Sequence, residues 1–145
     1  MNYKNFITVN LLLLILNSLS AQSDFDTRSY SKTLSVDKET TLDVSNKYGT
    51  IQITPWNKDS ACIRAEIKAY AKDRSKTNKM FDGINVNISG SKYLVRAQTE
   101  FSSNINTLFE SFKGMTNKII SYDSHIEINY YITIPEYLNL RIENK

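Results

Sequence analysis

Side chains that commonly do chemistry are scarce in this chain. Cys62 is the single cysteine and His125 the single histidine among 145 residues. A lone cysteine in an exported chain forms no internal disulfide, and a thiol nucleophile needs a base beside it. Cys62 falls on the Arg64/Glu66 face of an alternating segment, and His125 opens another on the face of Glu127 and Asn129. One imidazole is one metal ligand, and nothing supplies the others at a recognisable spacing. The acids Asp24, Asp26, Asp37, Glu39 and Asp43 cluster loosely. Paired carboxylates across a cleft hydrolyse glycosides, whereas acids on outward strand faces are merely solvated. With four glycines there is no phosphate loop, and no Gly-x-Ser-x-Gly, His-Glu-x-x-His or Asp-rich calcium loop occurs. These counts imply no catalytic residue, no metal and no cofactor. The alternative they leave is an envelope glycan hydrolase built on Asp/Glu pairs.

Aromatic side chains offer more. The chain has nine Tyr and one Trp, and Tyr48, Trp56, Tyr70, Tyr131 and Tyr137 fall at turns or on outward strand positions. Such rings stack on sugars or on protein partners. Tyrosine also simply suits a strand face. Trp56, Tyr70 and Tyr131 are the expected ligand contacts.

These residues ride on strands. Period-two alternation runs through "YSKTLSV", "TTLDVSN", "TIQIT", "SACIRAEIKAYAK" and "SHIEINYYITIP", and "LNLRIEN" places Leu138, Leu140 and Ile142 on one face. "GINVNISGSKYLVRAQT" predicts a hairpin turning at Gly90-Ser91. "DRSKTNKMFDG" predicts a short helix capped by Asp73 or Ser75. Between Glu100 and Ser124 the spacing of Phe101, Ile105, Leu108, Phe112, Met115 and Ile119 predicts a partly helical, variable insertion.

The first residues follow a different logic. Lys4, an apolar run from Phe6 to Leu16 and a small polar stretch ending in Ser-Leu-Ser-Ala form the layout of a secretory signal peptide. Cleavage is expected after Ala21, or else after Ser20. Residues 1–21 are then the signal, 22–29 a loose leader and 30–145 one β domain. The mature chain keeps 18 − 1 = 17 basic groups against 15 acidic ones, interspersed, which makes no case for nucleic acid. No later segment is apolar enough to span a membrane. The protein is expected in the periplasm, on the outer surface or in the medium.

Six residues recur. "LDVSNK" from Leu42 and "LRIENK" from Leu140 align at an offset of 140 − 42 = 98, each a strand ending in Asn-Lys. In the first copy Asn46, Lys47, Tyr48 and Gly49 form a structural turn, with Gly49 expected to supply the positive φ. With "VSNKYGTIQITPW", "INVNIS" and "IEINYYITIPEYLNLRIENK", the chain resembles a family of bacterial exported adhesin-like domains of unknown function, over roughly Tyr30 to Lys145. That resemblance implies stacked strands in a β-solenoid-like, antiparallel and repeated architecture, mainly β, with adhesin-like or scaffold binding to an envelope protein or glycan. It also implies a further ladder after a second Asn-Lys-Tyr-Gly turn. The chain therefore reads as a fragment whose last strand presents an unpaired edge for association. A periplasmic structural or stress-linked accessory role is the third reading.

Overall fold

A computed structural model describes residues 25–71, 73–103 and 124–145. The alternating segments become strands: β1 (Phe25–Ser35), β2 (Thr41–Asn46), β3 (Ile51–Trp56), β4 (Ser60–Ala71), β5 (Ile84–Gly90), β6 (Leu94–Phe101), β7 (Ser124–Pro135) and β8 (Asn139–Asn144). One helix, α1 (Arg74–Asp82), separates β4 from β5. Asp73 caps it by accepting from the Ser75 N–H at 2.9 Å. Neither the signal segment nor the stretch from Ile105 to Ile119 lies among the described residues.

Two four-stranded sheets form, ordered β1-β4-β7-β3 and β5-β6-β2-β8. Both are mixed. β4 pairs antiparallel with β1 and β7, and β3 joins β7 in parallel. β5 and β6 make the expected hairpin, while β2 lies parallel to both β6 and β8. Period two puts Ile63 and Ile67 of β4, Ile128 and Ile132 of β7 and Leu42 and Val44 of β2 in one core, all at most 1% exposed. The Tyr130 hydroxyl bridges this core to the Thr99 hydroxyl of β6 at 2.8 Å, and burial pushes the phenol pKa up.

Cross-sheet bonds fix how the layers stack. Lys32 of β1 donates to the Ile88 carbonyl of β5 at 3.0 Å, and Asn46 of β2 donates to the Ile128 carbonyl of β7 at 2.8 Å. β1 therefore faces β5 and β2 faces β7, which leaves β3 and β8 together at the other end. Helix α1 closes the β1/β5 end with buried Thr77, Met80 and Phe81, and Arg28 lies 4.5 Å from the Phe81 ring centre.

The repeated hexapeptide is a pairing register. Leu42 sits beside Leu140, Val44 beside Ile142 and Asn46 beside Asn144. A full β-solenoid-like ladder does not form among the described residues, where no barrel or closed coil occurs either. Reversals such as the β5/β6 hairpin force antiparallel neighbours. The β2–β3 and β7–β8 units, whose short links cross between sheets, stack on each other in parallel, β2 on β8 and β3 on β7. Three smaller expectations are corrected. Phe25 to Ser29 belong to β1, held by β4 rather than loose. Glu100 and Phe101 end β6 and Ser124 begins β7, so the insertion is shorter than expected. Leu140 and Ile142 point to the core side yet stay 45% and 47% exposed, because β8 ends its sheet.

The turn at Lys47–Thr50 also differs from expectation. Tyr48, not Gly49, carries the positive φ, at 68°. Gly49 is required for space: a Cβ there would lie 2.0 Å from the Ile128 carbonyl oxygen. We therefore expect Gly49→Ala to cost roughly 3 kcal/mol in urea unfolding, the upper range for overpacking. Tyr130→Phe removes one core hydrogen bond and should cost about 1 kcal/mol by the same measurement.

Candidate functional site

A cleft opens where the ends of β3 and β7 lie side by side, with Trp56 in register with Pro135. It encloses about 630 Å3 between Pro55, Trp56 and Asp59 on one side and Pro135, Glu136 and Tyr137 on the other. Each wall follows from local sequence. Pro55 and Pro135 end the regular alternation, and the residues beyond them turn outward. The indole is fixed by its Nε1–H, which donates to the Ser60 carbonyl at 2.8 Å, and Lys58 sits 4.9 Å from the ring centre. The Tyr137 hydroxyl donates to the Asp59 carboxylate at 2.6 Å and reaches the Val36 carbonyl at 3.4 Å. That carboxylate holds the phenol proton and pushes its pKa up to about 12. The cleft thus offers two oriented rings beside the acceptor oxygens of Asp59 and Glu136.

The other expected contacts lie elsewhere. Tyr70 is stacked on His125, with ring centres 3.9 Å apart and planes 10° off parallel, and touches Phe25 at 5.0 Å. Tyr131 lies under the Arg64 guanidinium at 4.6 Å. Both sit on the outer face of the β1-β4-β7-β3 sheet. Tyr70 pairs with His125, and Tyr131 is six residues further along β7, roughly 20 Å at strand rise. Trp56, Tyr70 and Tyr131 therefore do not form one site, and only Trp56 lines the cleft. Tyr137 is the partner that Trp56 needs. It is visible as an outward tyrosine, but its place beside Trp56 appears only once β3 and β7 are paired.

The groups considered for catalysis are also apart. Cys62 pairs with Thr133 and Tyr70 with His125, so thiol and imidazole are eight residues distant along β7, roughly 26 Å. Asp26 accepts from the Thr77 hydroxyl at 2.9 Å, and Asp37 accepts from the Glu39 N–H at 2.9 Å and the Thr40 hydroxyl at 3.1 Å. Glu39 pairs with Lys92 at 3.2 Å and Asp43 with Arg96 at 3.6 Å. Asp24 lies outside the described residues. The described acids of that cluster each serve a local contact rather than a shared cleft. Among the described residues no group of His, Cys, Asp and Glu is arranged to hold a metal ion. No described helix is long and apolar enough to cross a membrane.

No family model and no curated protein matches the chain. A crystal structure described as that of a "putative cell adhesion protein" from Clostridium sporogenes ATCC 15579 is similar at a TM-score of 0.40 and 7% identity. The match covers 82% of this chain and 47% of that one, so this chain spans about half its length. A likeness of that size carries no argument about fold or function.

Tyr137 supplies a pH test. Its folded pKa lies above that of a free tyrosine, so its contribution is complete below pH 10 and is lost as pH rises toward about 12. The midpoint of thermal unfolding should fall more steeply over that window in the native chain than in Tyr137→Phe.

Proposed function

We propose that this chain is an exported, non-enzymatic protein of the cell envelope, an adhesin-like module that binds glycan in the Trp56–Tyr137 cleft. The export part rests on the signal-peptide layout of residues 1–21. The binding part rests on one observation: two fixed rings from segments remote in sequence meet in an open cleft with Asp59 and Glu136. Sugar rings present flat C–H faces that stack on such aromatics, and hydroxyls that donate to carboxylates. The hydrogen bond from Tyr137 to Asp59 ties the two walls to each other, so less ordering is needed when a ligand enters. The stacked β2–β3 and β7–β8 segments are the solenoid-like element, and they bring the two walls together. Tyr70 and Tyr131, each covered by its own partner, contribute to the outer sheet face.

A glycan array probed with the purified chain should show binders, and Trp56→Ala should lower the affinity of the best one about tenfold. Glu136→Gln should weaken it less. Capture of proteins but no glycan would move the same cleft to peptide recognition. Unchanged capture by Trp56→Ala would remove the cleft from the reading.

A further inference from the structure

The Trp56–Tyr137 cleft offers a ligand acceptors and negative charge, and its side chains have little left to donate. Its walls are links between consecutive strands, β3 to β4 and β7 to β8. Both ring donors are committed: the Trp56 Nε1–H to the Ser60 carbonyl, the Tyr137 hydroxyl to Asp59. What remains for a ligand is the Tyr137 oxygen, the Asp59 and Glu136 carboxylates and the Asn57 amide. The charge is as one-sided. Asp59 and Glu136 have no ion-pair partner among the described residues. Asp37 adds to the negative field at Tyr137, whose pKa is pushed up to about 12, first by the Asp59 hydrogen bond, then by lost solvation and by the charges of Asp59 and Asp37. Lys58 is the one cation in 55–59 and 135–138, so with Asp37 the local balance is 1 − 3 = −2, in a chain whose formal charge is +3. Lys58 holds its ammonium 4.9 Å from the Trp56 ring centre, so this indole already accepts a cation.

Resting on the glycan reading of this cleft, we infer that the sugar it takes carries a free, protonated amine, its ring stacked on Trp56 and its ammonium held by Glu136 and Asp59. An ammonium has three N–H donors and no acceptor, the complement of side chains that mainly accept. Hydrogen bonds from a charged amine to a carboxylate are roughly twice as strong as neutral ones. A neutral sugar would take water from both carboxylates and return no charge to them. N-acetylation removes the positive charge and adds a carbonyl, which among the lining side chains only the Asn57 amide can meet. Uronic acids and sulfated sugars bring a like charge and are rejected. The ligand class is therefore a de-N-acetylated amino-sugar polymer.

Isothermal titration calorimetry with two oligomers of equal length tests this, a glucosamine oligomer from chitosan and its fully N-acetylated counterpart from chitin. The purified chain should bind the glucosamine oligomer about tenfold more tightly while the amine is protonated. The preference should vanish at a pH that neutralises the amine. Glu136→Gln should weaken the glucosamine oligomer roughly fivefold and leave the acetylated one unchanged. Trp56→Ala should weaken both, since both stack on the indole. Circular dichroism confirms that each variant is folded. Equal or tighter binding of the acetylated oligomer would overturn the inference and leave the cleft a glycan site. Glucosamine binding unchanged by Trp56→Ala would be loose attraction of a polycation and would overturn it too. Binding of neither oligomer would also overturn it, and a glycan array without binders would then take the glycan reading with it.

Discussion

One close approach organises the molecule: the backbone at Gly49 lies against the Ile128 carbonyl with no room for a side chain. Around that point Ile128 receives from Asn46 through its carbonyl and donates its N–H to the Tyr48 carbonyl at 2.9 Å. The crossing between sheets is thereby pinned to the middle of β7. Once it is pinned, β3 can meet β7 in only one register. β2 is likewise fixed above β7, and β8 beside β2. The left-handed backbone of Tyr48 is unfavourable for a bulky residue. The contact of its ring with Phe101, at 5.5 Å, and that of Lys47, at 4.8 Å, offset part of that strain. The Asn46 side-chain oxygen Oδ1, buried with no hydrogen-bond partner among the described residues, is a second local cost at the same crossing.

Much of this architecture is legible in the order of residues, because strands that face a core on one side must alternate. β4 alternates cleanly from Ser60 to Tyr70 and β7 from His125 to Ile134, and the buried residues in those spans are those the pattern predicts. The hexapeptide repeat carries more, since two segments stacked in parallel need the same inward residues at the same heights. What alternation cannot carry is context. It does not tell an edge strand from a central one, so Leu140 and Ile142 read as core. It is weak in β1, where Ser, Thr and charged residues predominate and the pairing with β4 does the holding. A turn glycine also looks the same whether it serves a positive φ or a tight approach, and at Gly49 the latter applies.

The candidate site shows the same division. Trp56 stands out by type, and its outward phase follows from the strand pattern. Its companion Tyr137 lies 137 − 56 = 81 residues away, and only the parallel register of β3 with β7 unites them. Tyr70 and Tyr131 have the same outward phase but meet His125 and Arg64, which are register partners across β4 and β7. Strand phase tells which face a ring is on. Cross-strand pairing tells what covers it.

The parallel pairs also have a kinetic side. β2 and β8 are 98 residues apart in the chain, and β3 and β7 about 79 (130 − 51). Contacts so remote in sequence form slowly, because the chain between them must be ordered before they repay it. The β5/β6 hairpin and α1 are local and can form early. The crossing at Gly49 must instead wait for β7 to arrive. Until then β2 and β3 present bare apolar strands, and that interval is the one in which a newly made chain is most exposed to aggregation and to chaperones.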